Sequence, residues 1–565
     1  MEKIKNLIKN SSFIDITLIS FIMIFLSFYV GNHFDIIFSD RGREFMIPFE
    51  ILNGNVPYKD ITLIYFPLTY YINALIYKLL GVNINSLLIS QTFICCIFMS
   101  AYYLFAKSFL GRIVSLLLTI YIILCCIFTY NDILSYIMPY AYARAYGIIS
   151  FFFSVVCLIK LFRTDNIKYL YLSAVIVGFC ASCKLEFLSV YLVLIIALFL
   201  YKRLKLIQYI KTFLLSLVFP IISLSIIFIQ GVSLNDISNA IKFSISFSQT
   251  QAITNFLSNV GMYPNHIREK LKLISVFMPL LITIIFFSYI ALRIKTIKPK
   301  FIFPVCVAML VWNFYYNYFS ILQLWLFLPS LVLLITLLKY KDLINHKDIF
   351  FLIISSLIIS QREFFLFSLS SYGTYPFPLL ILSLCVLIKQ YAPEIFYGVN
   401  VKNLVCYILV ILIGFHTYSI YNKKCITYLP IKTERGTIYT NTQNYDALTF
   451  ILSYIEKNVK KDDAVLVLPE GNIVNFITDR KNDMKCFMMD RLYHDAYGEA
   501  GAKNMIESTN SDYIILVYGL KLHNFYSEYL YIPGSNLASI YIYNNYHVVR
   551  YFYNNYDAVI ILKKN

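Results

Sequence analysis

Apolar segments of membrane-spanning length recur along the first 420 residues of the chain and are separated by short polar segments. The hydrocarbon core of a bilayer is about 30 Å thick, so an α-helix needs about 20 mostly apolar residues to cross it. The runs that approach this length are 13–30, 64–80, 86–106, 113–130, 145–162, 168–183, 187–201, 209–230, 271–292, 301–318, 320–338, 349–369, 375–388 and 402–420. The pattern predicts an α-helical polytopic membrane protein.

The second run, 64–80, decides on which side of the membrane all later loops are predicted to lie. If it spans, basic residues such as Lys107 and Arg112 fall outside, whereas cytoplasmic loops normally carry the excess of Lys and Arg. If it lies along the outer surface, Lys78 and its tyrosines sit at headgroup level and the later basic loops fall inside. We therefore predict about thirteen spans, a cytoplasmic N-terminus, an outer C-terminus and an outward-facing polar segment at 31–85.

The composition supports a membrane protein and argues against nucleic acid as a partner. The 565 residues are 59% hydrophobic and only 14% charged, which excludes a single soluble globule. A net charge of +17 would suggest a nucleic-acid partner in a soluble protein, but here Lys and Arg lie mostly in short loops between apolar runs and follow membrane topology. We expect a multi-pass protein of the cell (plasma or inner) membrane, with membrane lipid and not nucleic acid as partner.

The composition changes after Ile420. From residue 421 onward, Asp, Glu, Asn and Gly occur in the proportions of an ordinary soluble protein, and segments of helical and strand character alternate. These segments are 445–460, 464–469, 499–508, 513–519 and 557–564. They predict a small α/β extracytoplasmic domain over 421–565, following a transmembrane domain over 1–420. This region contains no glycine-rich nucleotide-binding motif.

A charged stretch follows the first span, at 39–71. It includes Asp40, Arg43 and Lys59, and charge beside a bilayer is costly enough to mark a candidate functional site. A carboxylate there can act as general base to a hydroxyl, while guanidinium and ammonium groups suit a phosphate leaving group. Asp40 and Arg43 are one turn apart if a helix starts at Asp40. The alternative is a solvated loop with interfacial charges.

The letters of this stretch resemble a known family. The run S-D-R-G-R-E-F, then G-N-V-P-Y-K-D-I and Y-F-P-L-T-Y-Y, is similar to the first outer loop of the GT-C glycosyltransferases over about residues 39–81. The similarity is greatest to bacterial lipid-linked-sugar transferases related to protein O-mannosyltransferases and aminoarabinose transferases. It implies a GT-C-like helical bundle with outer surface helices in the first loop, a polyprenyl-phosphate-linked sugar as donor, and an active site on the outer side.

The resemblance also implies roles for particular residues. Asp40 would be the catalytic base, and Arg43 would order the site or contact the donor phosphate. Tyr65 and Tyr70 match the second element of the family's loop, around Pro67.

The chain departs from the aminoarabinose-type pattern just before that proline. Those proteins have Glu-Lys-Pro-Pro, whereas this chain has Tyr65 and Phe66 before Pro67. Lys59 and Asp60 lie upstream instead. We consider Lys59 a candidate for donor-phosphate binding and Asp60 a second catalytic carboxylate.

Three further candidates come mainly from topology. Lys184 and Glu186, in C-K-L-E-F, lie at a predicted outer span boundary, and similar K-x-E elements in the family imply phosphate contact by Lys184. The alternative is a snorkelling ion pair at i, i+2, whose side chains would not face each other on a helix. Arg144 lies in the second predicted outer loop, where interfacial anchoring explains it equally well.

Together these features predict a glycosyltransferase that moves a hexosyl or pentosyl group from a polyprenyl-phosphate donor to a hydroxyl of a cell-envelope glycan, lipid or protein. We expect no cofactor and no metal, because no ligand cluster of the usual spacing occurs. The alternative is a membrane transporter or flippase of lipid-linked saccharides, which should carry ionisable residues near mid-span and discontinuous helices. The nearly charge-free runs favour the enzyme.

Overall fold

The structure is a computed structural model that describes residues 11–33, 40–129, 135–201, 203–259, 327–361, 377–395, 400–519 and 531–565. The first 420 residues are almost entirely helical where they are described. Their helices are α1 (Ser11–Val30), α2 (Asp40–Leu52), α3 (Leu68–Leu80), α4 (Ile84–Leu110), α5 (Arg112–Ile122), α6 (Tyr142–Thr164), α7 (Lys168–Ala181), α8 (Val190–Tyr201), α9 (Leu206–Ser216), α10 (Val218–Ile229), α11 (Leu234–Gln249), α12 (Gln251–Asn259), α13 (Leu328–Leu338), α14 (Tyr340–Leu343), α15 (Lys347–Ile359), α16 (Phe377–Ile395) and α17 (Val401–Ile420).

Five helical segments of the described residues are long and apolar enough to cross a bilayer: Ser12–Val30, Ile84–Leu110, Tyr142–Thr164, Leu206–Ile229 and Val401–Ile426. Shorter apolar helices accompany them at other predicted spans. The chain is therefore a mostly helical polytopic membrane protein. The predicted spans 271–292 and 301–318 lie outside the described residues, and the total of about thirteen stays a prediction.

The run 64–80 forms the short helix α3, in agreement with its predicted place along the surface. Its 13 residues extend about 20 Å, which is too short to cross a bilayer core. Gly81, at φ 87°, ends the helix, and its N–H donates to the Tyr77 carbonyl. Both α2 and α4 pack against α3, so α3 holds the polar segment against the bundle.

The loops predicted to share the cytoplasmic side lie together at one end of the bundle. Lys107 donates to the Ser12 hydroxyl, and Arg112 Nε is 2.9 Å from Asp15 Oδ2. At the same end Arg163 lies 2.8 Å from Asp348, and Arg203 pairs with Asp165. Because these side chains reach only a few ångströms, the loops are neighbours, as expected when 64–80 does not span. The side of the membrane that this end faces stays a prediction.

The region after α17 is α/β. Its elements are β1 (Tyr428–Thr433), β2 (Gly436–Asn441), α18 (Thr442–Asn458), β3 (Val465–Leu468), α19 (Asn472–Thr478), α20 (Arg491–Ser508), β4 (Tyr513–Gly519), α21 (Leu537–Asn545), β5 (Tyr546–Tyr553) and β6 (Asp557–Lys564). The strands β1 and β2 form a hairpin, and the other four form a sheet in the order β3-β4-β6-β5, parallel only between β3 and β4. The three predicted strands and both predicted helices are present, whereas the hairpin, β5, α19 and α21 were not predicted.

This α/β region packs directly on the first polar segment. Gly42 of α2 lies so close to α19 that a Cβ there would come within 2.6 Å of the Ile473 amide nitrogen. The Thr62 N–H donates to the Lys485 carbonyl at 2.8 Å. One buried apolar cluster contains side chains from both regions. The contacts join residues that the sequence assigns to two domains, and that division stays a prediction.

Candidate active site

The helix α2 begins at Asp40, which is the condition under which Asp40 and Arg43 are one turn apart. Of Asp40 itself the structure describes the backbone alone. The next three charged residues, Arg41, Arg43 and Glu44, are all buried, with 5% or less of each exposed. Buried charges persist only where other groups compensate them, and the contacts around Glu44 and Arg43 show how this is done.

Glu44 joins three elements of the fold. Its carboxylate accepts a hydrogen bond from the Tyr70 hydroxyl of α3 at 2.8 Å and another from the Tyr142 N–H, at the start of α6, at 2.9 Å. Arg43 Nε lies 3.6 Å from the same carboxylate. Burial, followed by the charge of Glu44, raises the pKa of Tyr70, so its hydroxyl stays protonated and donates. Glu44 therefore fixes where α2, α3 and α6 meet.

Arg43 extends from this point to two further groups. One of its terminal nitrogens donates to the Met488 thioether at 3.0 Å, and its guanidinium carbon lies 5.2 Å from the centre of the Tyr65 ring. The same ring is approached by the Lys184 ammonium at 4.9 Å. A tyrosine ring attracts cations through its quadrupole, so Tyr65 holds Arg43 and Lys184 near each other.

Lys184 and Glu186 form an ion pair with a 3.0 Å separation, contrary to the expectation that residues at i, i+2 would not face each other. The expectation assumed an α-helix. Lys184 has an extended backbone instead and precedes a short 3-10 helix, Leu185–Ser189, so its side chain can reach Glu186. The Lys184 ammonium also lies 3.5 Å from the Tyr140 hydroxyl.

Arg144 is not in a loop and is not an interfacial anchor. It lies in the first turn of α6 and is fully buried. Its guanidinium carbon is 5.5 Å from the centre of the Tyr136 ring and 5.4 Å from that of Tyr140. Because Tyr140 also contacts Lys184, the structure brings Arg144 into the same neighbourhood as Lys184.

The structure does not bring Lys59 and Asp60 to these side chains through any contact among the described residues. Lys59 is exposed, and its carbonyl accepts from the Lys485 ammonium at 3.2 Å. Asp60 accepts from the Val56 N–H at 2.9 Å, which closes its own loop. Their assignment to donor binding and catalysis stays a prediction.

Taken together, the described side chains form a buried cluster with more cations than carboxylates. The cations Arg43, Arg144 and Lys184 are each 6% exposed or less, and of the two carboxylates Glu44 is buried and Glu186 half-buried. Arginine binds phosphate through paired N–H groups, and lysine does so as a point charge. The cluster is therefore suited to hold a phosphate-bearing ligand. Within the described residues, no group of His, Cys, Asp or Glu is placed to bind a metal ion.

Glu44 and Met488, which both contact Arg43, were not predicted from the sequence, for different reasons. Glu44 was visible in D-R-G-R-E, and its position one turn beyond Asp40 was a usable signal. Met488 is 445 residues from Arg43 along the chain and belongs to a region with no recognisable motif. Only the packing of the α/β region on α2 reveals it.

No protein-family model and no curated protein matches the sequence. Among solved structures, the chain is similar to the Archaeoglobus fulgidus oligosaccharyltransferase tethered with an acceptor peptide, with a TM-score of 0.47 and 11% identity, over 91% of this chain and 70% of that one. It is also similar to ArnT from Cupriavidus metallidurans bound to undecaprenyl phosphate, with a TM-score of 0.44 and 10% identity, over 97% of each chain.

Proposed function

We propose that this protein is a membrane glycosyltransferase of the GT-C type that transfers a sugar from a polyprenyl-phosphate donor to an acceptor hydroxyl on the outer side of the membrane. One observation carries the proposal: the buried cations Arg43, Arg144 and Lys184 meet at the rings of two tyrosines beside the start of α2, where the sequence places Asp40. Ionisable groups inside a membrane protein are costly and mark functional sites. The resemblance of residues 39–81 to the GT-C first loop supports the same activity.

The proposed chemistry follows from these groups. Asp40 accepts the proton of the acceptor hydroxyl while the oxygen of that hydroxyl bonds to the anomeric carbon of the sugar. The bond between that carbon and the phosphate oxygen breaks, and its electron pair leaves with the lipid phosphate. Arg43, Arg144 and Lys184 stabilise the charge on this leaving group, which grows in the transition state. Asp60 accepts from the Val56 N–H, and its role as a second catalytic carboxylate stays a prediction.

Glu44 acts on this chemistry by positioning. Its bonds to Tyr70 and Tyr142 hold the start of α2 against α3 and α6, which keeps Arg43 beside the ring of Tyr65. Preorganised charge costs little rearrangement during reaction.

The test compares transfer from labelled polyprenyl-phosphate sugars by the parent and by Asp40→Asn, both purified as the full chain. We expect the variant to lose activity by about 100- to 10,000-fold, the range of general-base catalysis. Asp165→Asn is the matched control, because Asp165 pairs with Arg203 at the opposite end of the bundle, and it should transfer at the parental rate. Equal rates for the parent and Asp40→Asn would refute the assignment. Transbilayer movement of the lipid by both proteins, without transfer, would support the transporter.

A further inference from the structure

The helix α3 carries a stripe of buried polar groups next to the proposed site. Thr69, Asn73 and Tyr77 are spaced by four residues, so they lie on one face of the helix. Each is at most 1% exposed. Such a face would normally be apolar in a protein interior.

These groups are unsatisfied within the described part of the chain. The Thr69 hydroxyl, the Asn73 amide nitrogen and the Tyr77 hydroxyl have no hydrogen-bond partner there. The Asn73 carbonyl oxygen, in contrast, accepts from the Tyr146 hydroxyl at 2.7 Å. Buried polar groups are almost always paired, and each exception calls for an explanation. Three on one face of one helix point to a common partner.

The surroundings indicate what that partner is. Burial raises the pKa of Tyr77 well above its usual value, so its hydroxyl remains a donor. Its ring stacks on Phe476 at 5.9 Å, and the ring of Tyr146 lies 5.9 Å from that of Tyr142. Hydroxyl and amide donors framed by aromatic rings match a sugar ring, which presents hydroxyls around its edge and C–H groups on its faces.

The stripe also adjoins the proposed phosphate-binding groups. Tyr70, the residue after Thr69, donates to Glu44, and the N–H of Tyr142 donates to the same carboxylate. Glu44 in turn lies beside Arg43. The charge of Glu44 also acts on the Tyr77 hydroxyl, so Glu44 lies near both the stripe and Arg43.

We propose that Thr69, Asn73 and Tyr77 form the subsite for the sugar ring of the lipid-linked donor. This inference rests on the proposed function and adds to it the residues that select the sugar. A site built to hydrogen-bond hydroxyls discriminates strongly against ligands that lack them, because its own groups are then left unpaired. The stripe therefore distinguishes the sugar-bearing lipid from the lipid phosphate that remains after the sugar is transferred.

The test measures equilibrium binding to the full-chain protein in lipid nanodiscs. The probes are undecaprenyl phosphate and the same lipid phosphate carrying glucose, mannose or galactose. Thr69→Val and Tyr77→Phe each remove one hydroxyl and keep the shape of the side chain. The matched control is Ser355→Ala, because the Ser355 hydroxyl on α15 is equally buried and also unsatisfied within the described residues.

We expect the parent to bind at least one sugar-bearing lipid more tightly than the sugarless lipid. Each of the two variants should weaken that binding by about 3- to 10-fold and leave the sugarless lipid within about 2-fold, as for a lost hydrogen bond. Their ligand-free melting temperatures should not fall, because an unsatisfied buried group is removed. Ser355→Ala should bind all probes as the parent does.

Two failures are distinguishable. If the parent prefers a sugar-bearing lipid and both variants keep that preference at full strength, the stripe is satisfied by buried water and the subsite is refuted while the proposed function stands. If the parent binds no polyprenyl phosphate at all, the proposed function fails, and the subsite fails with it. Equal parental affinity for all four probes also refutes the subsite.

Discussion

Two ion pairs at opposite ends of the helical bundle differ in how deeply they are buried. At one end, Arg203 and Asp165 pair with side chains that are 73% and 57% exposed. At the other end, the side chains of Arg43 and Glu44 are 6% and 2% exposed. An exposed ion pair contributes at most about 1 kcal/mol, whereas removing one member of a buried pair costs about 3–5 kcal/mol. The burial of a charged side chain, and not its residue type, therefore separates loop charges from the charges of the candidate site.

The largest expected difference between the two ends is in stability. Glu44→Gln removes the negative charge beside Arg43 and weakens the acceptor of two hydrogen bonds. We expect the free energy of unfolding to fall by about 3 kcal/mol, measured by denaturant titration in bicelles. Asp165→Asn at the other end should change it by less than about 1 kcal/mol. Similar losses for both variants would erase the distinction between the ends.

The next largest difference is in activity. Arg144→Met keeps much of the buried volume and removes a cation of the cluster. The value of kcat/KM for a polyprenyl-phosphate donor should therefore fall by about 10- to 100-fold, which corresponds to the loss of one hydrogen bond to a charged group. Arg203→Met removes the same charge from the exposed end and should leave kcat/KM unchanged. Unaltered kinetics in Arg144→Met would place the phosphate elsewhere.

A smaller effect would show whether the α/β region contributes to the site. Met488→Leu removes the thioether that accepts from Arg43. Since a thioether is a weak acceptor, we expect the donor KM to rise by about 3-fold with kcat unchanged. The control is Met489→Leu, at a neighbouring buried methionine. A comparable rise in both variants would indicate general loosening of the segment and not positioning of Arg43.

The smallest expected effect is on the pH dependence of the melting temperature, through a carboxyl group on α2. Desolvation raises the pKa of Glu50 on α2, although the Asn55 side chain donates to its carboxylate. A carboxyl with a raised folded-state pKa costs stability above that pKa and nothing below the unfolded value. Glu50→Gln should therefore raise the melting temperature by about 1 °C near pH 8 and leave it unchanged near pH 4. A lowered melting temperature near pH 8 would show that the charged form is favoured.

The sequence predicted the elements well where one physical rule dominates. Hydrophobic run length located the apolar helices of the described residues, and the run that the distribution of Lys and Arg removed, 64–80, forms only the 13-residue α3. Alternation and apolar runs located β3, β4 and β6 within about a residue. The edge strand β5 escaped because its exposed tyrosines and arginine give no clear period.

The site was harder to predict because its contacts are long-range. Arg43 and Lys184 carry sequence signals, but their meeting at the Tyr65 ring joins residues more than 100 positions apart and depends on tertiary packing. Arg144 was assigned to a loop because the apolar run begins after it, although α6 starts at Tyr142. No local rule links Met488 to Arg43 across 445 residues.

If the buried cations hold a lipid phosphate, the protein should distinguish a lipid that carries a phosphate from one that lacks it. The affinity of the full chain in nanodiscs is measured for undecaprenyl phosphate and for undecaprenol, which has the same lipid tail without the phosphate. We predict that the phosphate form binds at least about 100-fold more tightly, and that Lys184→Met reduces this preference by about 10-fold or more. Equal affinity for the two lipids would show that the buried cations do not bind the phosphate.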